Sequence, residues 1–489
     1  MSFHGRAAEL RVLDELWQSE RAALAVLYGR RRIGKTRLLT HWAKSKPERR
    51  VLYWVAEPTS AADQLRLFSQ ALYNFANPGV AAPPVFTFGS WQQAWEQVAR
   101  LAEKERLALL VDEFTYLLEA NPGIAGILQN AWDHRLKAGR LLLVISGSHL
   151  GMMQRHALSV QAPLYGRATA QIHLQPLPFG VSKSFFPGYR AAERVALYAM
   201  FGGVPAYWER IEPRRSISEN IRRQLLTANN LMQDEPRLLL QDFLVNSPNY
   251  VAILRAIAAD CRTQKELSGR TGLPQGHVSK YLDALREAGF VQRRVSLTES
   301  ESSRKGRYHV GDPYLRFYYR FLANRQAQLA LGVSEQALAE IKRHLLDFIG
   351  THTWEELCRE WLLRAAGQGD LPFTPDQVGS IWTPAAQVDV AGLNRMEKTL
   401  VLGECKWSPH PAEVGTLQEL VAKTPELVAA AGVKGPWRVF YLAFSRGGWQ
   451  PDATAFAQQF HATGDNWRGL GLRLLTLEAV DHDLAEWAK

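Results

Sequence analysis

At 489 residues the chain is too long for a single compact core and implies about three domains; its 46% hydrophobic and 22% charged residues suit a globular protein in water. No apolar run reaches the roughly eighteen residues of a membrane span, Met1-Ser2-Phe3-His4-Gly5-Arg6 opens no signal-peptide core, and the scattered Cys261, Cys358 and Cys405 fit neither a disulfide framework nor a zinc site. A cytoplasmic protein with no membrane partner is expected, and a net charge of +10 with a pI near 9.5 favours a polyanionic partner.

Apolar strands alternate with helical patterns from residue 1 to about 180, which predicts a mainly parallel sheet covered by helices on both faces. Leu24–Tyr28 reads as a buried strand, and Arg37–Trp42 as the opening of a helix. Between them Gly29-Arg30-Arg31-Arg32-Ile33-Gly34-Lys35-Thr36 matches the pattern G-x-x-x-x-G-K-[ST]. In that context backbone N–H groups and the positive helix end surround phosphates. Lys35 then reaches the β and γ oxygens of ATP, and the Thr36 hydroxyl binds Mg²⁺.

Helical patterns follow over Asp63–Ala76 and Ser90–Lys104, and then Leu107-Ala108-Leu109-Leu110-Val111-Asp112-Glu113, a buried strand tipped by two carboxylates. Ligands of open α/β sheets sit beyond the carboxyl ends of the strands, so Asp112 is expected to help hold Mg²⁺ and Glu113 to orient or deprotonate the attacking water. A third strand, Leu141–Ile145, ends at Ser146-Gly147-Ser148. Two readings stand for that tip: Ser148 contacts the γ-phosphate or the water, or the segment is a turn that serine and glycine favour.

From about Ala191 to Asp242 the β-runs vanish, and a small helical lid on the nucleotide domain is expected, broken at Phe201-Gly202-Gly203-Val204-Pro205. Residues 249 to 310 carry a winged helix-turn-helix pattern. Its first helix is Tyr250–Ala259, its second starts at Thr263 with Glu266 in capping-box spacing, and its third is Gly276–Ala288 with Val278, Leu282 and Leu285 on the core face. Gln275, His277, Ser279, Lys280 and Arg286 face outward. Phe290–Val295 and Arg307–Val310 are wing strands, on which Arg293, Arg294, Arg304, Lys305 and Arg307 cluster. Contact with DNA phosphates and contact with protein are the two readings of that wing.

Beyond about Gly350 a helix over Thr353–Ala366 precedes strand-like Val378–Trp382 and Gln387–Val390. Lys398–Trp407, a helix over Pro411–Ala430 and strand Trp437–Phe444 complete the pattern. Glu404 and Lys406, two apart on a strand, project to one face, and Asp389 on the neighbouring strand joins them. Two carboxylates holding Mg²⁺ while a lysine activates water would cleave a phosphodiester; the alternative is a half-buried salt bridge at a sheet edge.

The ordered set Phe3-His4-Gly5-Arg6, Glu9-Leu10, Gly29–Thr36, Asp112-Glu113, Gly147-Ser148, Pro163-Leu164-Tyr165-Gly166-Arg167 and Gly202-Gly203-Val204-Pro205 resembles the archaeal-type P-loop ATPases of the STAND/AAA+-related class. Asp312–Phe321 looks like the segment that joins winged helix to C-terminal domain in that family, and the tail looks like its PD-(D/E)XK nuclease-like domain. The resemblance implies that Gly5 and Arg6 lie near the adenine and that Arg167 approaches the γ-phosphate as a sensor or arginine finger. It also makes Glu355 the helix acid of the nuclease core. Gln387-Val388-Asp389 departs from the family's Glu-Ile-Asp, keeping the aspartate but losing a neighbouring acid.

The expected fold is thus α/β: a P-loop NTPase parallel sheet (1–180), a helical lid (181–242), a winged helix-turn-helix (243–315), a helical connector (316–348) and a restriction-endonuclease-like α/β domain (349–489). The expected function is an ATP- and Mg²⁺-dependent switch associated with DNA, with a homo-oligomer left open. A non-hydrolytic DNA-binding regulator and a protein-binding scaffold are the rivals.

Overall fold

The computed structural model describes residues 3–243, 248–433 and 435–488; Met1-Ser2, and the segment 244–247 near the expected start of the winged helix, lie outside the described residues. The chain divides into two compact units, Met1–Leu177 with Val204–Tyr207, and Pro178–Gly203 with Trp208–Lys489. The segment expected as a lid therefore gathers its contacts within the second unit, apart from Val204–Tyr207. No described helix is long and apolar enough to cross a membrane.

The first unit is built on five parallel strands, β1 (Ala23–Tyr28), β2 (Val51–Val55), β3 (Leu107–Asp112), β4 (Leu141–Gly147) and β5 (Ala170–His173), in the order β2-β3-β4-β1-β5. Strands β3 and β4 are buried along their whole length, and β1 up to Tyr28. Such runs are apolar without alternation because helices cover both faces of a parallel sheet. Helices Ala61–Ala76 and Trp91–Lys104 start where Ser60 and Ser90 hydroxyls cap the first turn. They bury Phe68 and Trp91 against Trp54 of β2, with Trp95 packed on Phe68 and Trp91. With β4 inserted between β1 and β3, the glycine loop after β1 and the acidic tip of β3 flank a shared central strand.

In the second unit, helices Ala191–Phe201, Pro205–Trp208, Ile217–Ile221 and Leu231–Phe243 match the helical reading, though Pro205–Tyr207 belongs to the first unit by its contacts. The winged helix follows: Pro248–Ala258, Gln264–Thr271 with its Thr263/Glu266 capping box, and Gln275–Glu287, with Val278, Leu282 and Leu285 fully buried. Its wing pairs β6 (Val291–Arg294) antiparallel to β7 (Arg307–Val310).

Helix Glu355–Gln368 leads into a six-stranded sheet of β8 (Gln377–Trp382), β9 (Gln387–Asn394), β10 (Thr399–Lys406), β11 (Trp437–Ser445), β12 (Thr463–Gly464) and β13 (Trp467–Thr476), in the order β12-β13-β11-β10-β9-β8. Strands β8, β9 and β10 form an antiparallel meander, whereas β10–β11 and β11–β13 are parallel. The single helix expected over Pro411–Ala430 is instead two, Val414–Ala422 and Thr424–Ala430. Pro425 sits in the first turn of the second, where its missing N–H costs nothing but ends the preceding helix. Strand β13 was not legible in sequence.

Candidate functional site: a phosphate loop and a carboxylate cluster

The loop after β1 turns through two backbone conformations that favour glycine. Gly29 has φ 155°, and a Cβ there would lie 2.6 Å from the Leu174 carbonyl oxygen; Gly34 has φ 96° and caps helix Lys35–Ser45. Arg32 also has positive φ, 65°. The loop thus wraps toward the first turn of that helix, whose N–H groups point outward unbonded by intrahelical partners. Lys35, 5% exposed, directs Nζ to the carbonyls of Gly29 and Arg30 at 3.0 and 3.1 Å, which pins its cation at the mouth of the loop.

Asp112 is fully buried and its carboxylate accepts four hydrogen bonds. Oδ2 accepts from Thr36 Oγ1 at 2.6 Å and from the Tyr53 hydroxyl at 2.9 Å; Oδ1 accepts from the Glu113 N–H at 3.0 Å and from the Ser146 hydroxyl. Burial, with the Asp112 charge beside it, pushes the Tyr53 hydroxyl far above its ordinary pKa, so it stays a donor. Glu113 has a left-handed backbone, φ 51°, and its Oε2 accepts from Ser148 Oγ at 2.8 Å. A non-glycine residue held there costs about 1–2 kcal/mol and persists where the surroundings over-determine it. Of the two readings of the β4 tip, the contact places Ser148 on Glu113.

Arg6 donates to the Ile33 carbonyl at 3.1 Å and to Glu9 at 3.1 Å, which ties helix Ala7–Gln18 to the back of the loop; Gly5, with φ 71°, makes the preceding turn. Arg30 donates to the Tyr207 hydroxyl at 2.9 Å, while Arg31 is exposed and Arg32 half-buried. Arg167 is not brought to the loop. It grips Asp133 through Nε and Nη2, at 3.0 and 2.7 Å, and donates to the carbonyls of Pro163 and Tyr165. A sensor role would require it to leave Asp133. Tyr53, on β2, and Tyr207, in helix Pro205–Trp208, escaped the sequence reading, and Ser146, at the strand tip the sequence singled out, meets Asp112 rather than the phosphate or water expected of that tip.

Thr36 and Asp112 offer hard oxygen donors in mutual contact, the donor set Mg²⁺ takes when substrate phosphates complete its shell. Among the described residues no group of three or more His, Cys, Asp or Glu side chains is arranged as a metal site, so protein ligands alone form no cage at either centre.

In the C-terminal sheet Gly403 pairs with Val390, and continuing that register by one residue sets Glu404 opposite Asp389, on one face. Asp389 Oδ2 accepts the Cys405 N–H at 3.1 Å. Glu404 is bracketed by two lysines, Lys406 and Lys423, each at 3.0 Å, and Lys423 was not anticipated. Glu355 pairs with Arg359 at 3.3 Å, and Arg359 also donates to Ser380 and to the Asp389 carbonyl. Burial first, then the Asp389 charge, pushes the Glu355 carboxyl up to about 7; burial and Glu404 likewise raise Asp389. Burial opposes the charge of Lys406, but Glu404 outweighs it and holds the ammonium above its ordinary pKa. The three acids therefore share one electrostatic site, although each has its own partner.

Most of the wing cations have a partner within the chain. Arg293 donates to the carbonyls of Glu301 and Ser303, Lys305 meets Glu299 at 2.5 Å, and the Arg307 guanidinium lies 4.7 Å from the Trp382 ring centre. Arg294 donates to Glu356 at 2.6 Å, and Arg316 grips both oxygens of the same carboxylate. The wing also docks on edge strand β8, with Leu297 N–H to the Ser380 carbonyl at 3.1 Å and Trp382 N–H to Ser296 Oγ at 3.1 Å. Lys280 and Arg304 are exposed, as is Lys305 despite its contact with Glu299.

Comparison with known proteins agrees with this layout. Residues 3–211 match the profile of an ATPase domain predominantly from Archaea, 251–292 that of a winged helix-turn-helix DNA-binding domain, and 318–416 a family described as archaeal and bacterial proteins of unknown function. An uncharacterized protein of Methanocaldococcus jannaschii is 29% identical over 405 residues, covering 83% of this chain and 87% of the relative. A second protein of that organism, described as an uncharacterized ATP-binding protein, is 42% identical over 48 residues, 10% of this chain and 81% of its own length. The Walker-type ATPase of Pyrococcus abyssi shares the fold, with a TM-score of 0.50 and 16% identity over 65% of this chain and 96% of that one. Residues 3–211 thus carry an ATPase domain, and a winged helix-turn-helix follows it in the chain.

Proposed function

We propose that the protein is an ATP-hydrolysing, DNA-associated switch. The observation that carries this reading is the shared tip of β1, β3 and β4, where direct hydrogen bonds link Thr36, Asp112, Glu113 and Ser148, next in the chain to Lys35, whose Nζ is held on the loop carbonyls. Loop N–H groups and Lys35 would receive the phosphates of ATP. Mg²⁺, held by Thr36 and Asp112, would supply charge neutralisation at the phosphate oxygens. Glu113, steered by Ser148, orients the attacking water and accepts its proton. Turnover measured with Glu113→Gln tests the assignment: nucleotide binding is retained and hydrolysis falls by about a hundredfold or more, the range for a positioned base. Loss of binding in Lys35→Ala is the companion result, and wild-type ATP affinity in that variant would remove the loop from the mechanism.

For DNA, the exposed Lys280 and Arg304 support contact through the third helix and the wing tip. A nuclease-like C-terminal core is supported by the order helix, meander, helices and strand, and by the register that sets Glu404 opposite Asp389. A second reading, in which that domain binds without cutting, is favoured by the two lysines on Glu404. Incubating supercoiled DNA with Mg²⁺ or Mn²⁺ decides between them. Nicking that disappears in Asp389→Ala supports the nuclease, and intact DNA under all conditions supports the binding module.

A further inference from the structure

A cavity of about 190 Å³ opens between the winged helix and the helices that follow it, with Arg262, His309, Arg316, Arg320 and His352 in its wall. Much of its charge is already matched. Asp260 is held by Arg262 at 3.1 Å, Arg316 by Glu356, and His344 faces Glu340 at 3.5 Å; Asp347 is an exposed acid of the same wall.

What remains is unmatched and donor-rich. Arg320 is exposed and has no acidic partner among the described residues, its guanidinium lying 5.9 Å from the Phe321 ring centre. The imidazoles of His309 and His352 make no hydrogen bond among the described residues, and His352 has only an edge-on ring contact with Phe348. Burial, reinforced by the charges of Arg294, Arg262 and Arg316, pushes both imidazoles far toward their neutral form. A positive field of that kind is relieved by an anion.

Size selects the anion. Pockets for whole small molecules run about 300–1,000 Å³, so this cavity is too small for a complete nucleotide yet ample for one tetrahedral oxyanion. Planar guanidinium donors and imidazole N–H groups suit phosphate oxygens.

We propose that this cavity binds a phosphate group through Arg320, His309 and His352, beside the Arg262–Asp260 pair, supplied either as free inorganic phosphate or by a nucleic-acid backbone. Its walls come from the winged helix on one side and the following helices on the other, so occupancy would fasten one to the other. The site is separate from the nucleotide loop and does not depend on ATP turnover.

The test is calorimetric titration of inorganic phosphate into the full-length protein carrying Lys35→Ala, which removes the loop as a competing site. Saturable binding at one site is expected. Arg320→Ala combined with His352→Ala should weaken it by about tenfold or more, as befits two lost donors to a charged ligand, with Arg320→Lys restoring part of it. An unchanged melting temperature in the double variant shows that the fold survives. If a duplex oligonucleotide is displaced by phosphate, the natural source is a backbone; if both bind together, it is free phosphate. Absence of saturable binding, or equal affinity in the double variant, overturns the proposal.

Discussion

Replacing Glu356 by glutamine removes a carboxylate that two guanidiniums share. Arg316 grips its oxygens at 2.9 and 3.0 Å, and Arg294 adds a contact at 2.6 Å. Side-chain exposure is 28% for Glu356, 5% for Arg316 and 23% for Arg294, so the cluster is mostly out of water. Removing one partner of a buried pair costs about 3–5 kcal/mol because the other charge is left uncompensated, and the residual exposure here points to the lower end, about 3 kcal/mol.

With a urea slope of about 2 kcal/mol/M, the unfolding midpoint of the second unit should fall by about 1.5 M, read from tryptophan fluorescence. The pH dependence gives a further check. Burial acts to raise the Glu356 carboxyl, but Arg316 and Arg294 outweigh it and hold it well below the usual range. A carboxyl depressed in the folded state contributes stability that is complete above its unfolded pKa of about 4.3 and is lost as pH falls through the folded value. The gap between wild type and Glu356→Gln should therefore be constant from about pH 8 to 5 and narrow below about 4. A midpoint within about 0.3 M of wild type at pH 7 would refute the reasoning and reduce the cluster to a solvated surface pair.

Ser148→Ala should leave ATP affinity intact and slow turnover by about tenfold, since it frees Glu113 without removing it; a loss as large as that of Glu113→Gln would give Ser148 its own contact with the reacting atoms. Lys280→Ala and Arg304→Ala should each flatten the log–log salt dependence of DNA binding by about one, while Arg294→Ala should not, because its charge already faces Glu356; fluorescence anisotropy at several salt concentrations distinguishes them. Glu355 titrates in the opposite sense to Glu356. Its folded pKa near 7 lies above the unfolded value, so the folded state holds the extra proton and wild-type stability should decline as pH rises from about 5 through 7. Glu355→Gln should remove that decline in melting temperature, and an identical pH profile in the variant would show that burial of this carboxyl is relieved by other means.

The phosphate loop was legible because its chemistry is local: eight consecutive residues set the turn, and the strand and helix on either side orient it. Asp112 and Glu113 followed from the rule that buried parallel strands deliver their tips to one edge. The winged helix rested on periodicity and on a capping box that the folded chain forms as expected. What those patterns could not supply were partners distant in sequence. Tyr53 and Ser146 reach Asp112 only because β2 and β4 flank β3, and Lys423 reaches Glu404 from the turn between helices Val414–Ala422 and Thr424–Ala430. Strand β13, with Gly469 and Gly471 inside it, has little strand pattern of its own and is a strand because β11 offers it a ladder. The wing shows the difference most plainly. Sequence counts Arg293, Arg294, Lys305 and Arg307 as charges in water, where phosphate is their natural partner. Folding brings Glu356, 62 residues beyond Arg294, into hydrogen-bonding range, and a desolvated guanidinium is held by whichever carboxylate the tertiary structure delivers.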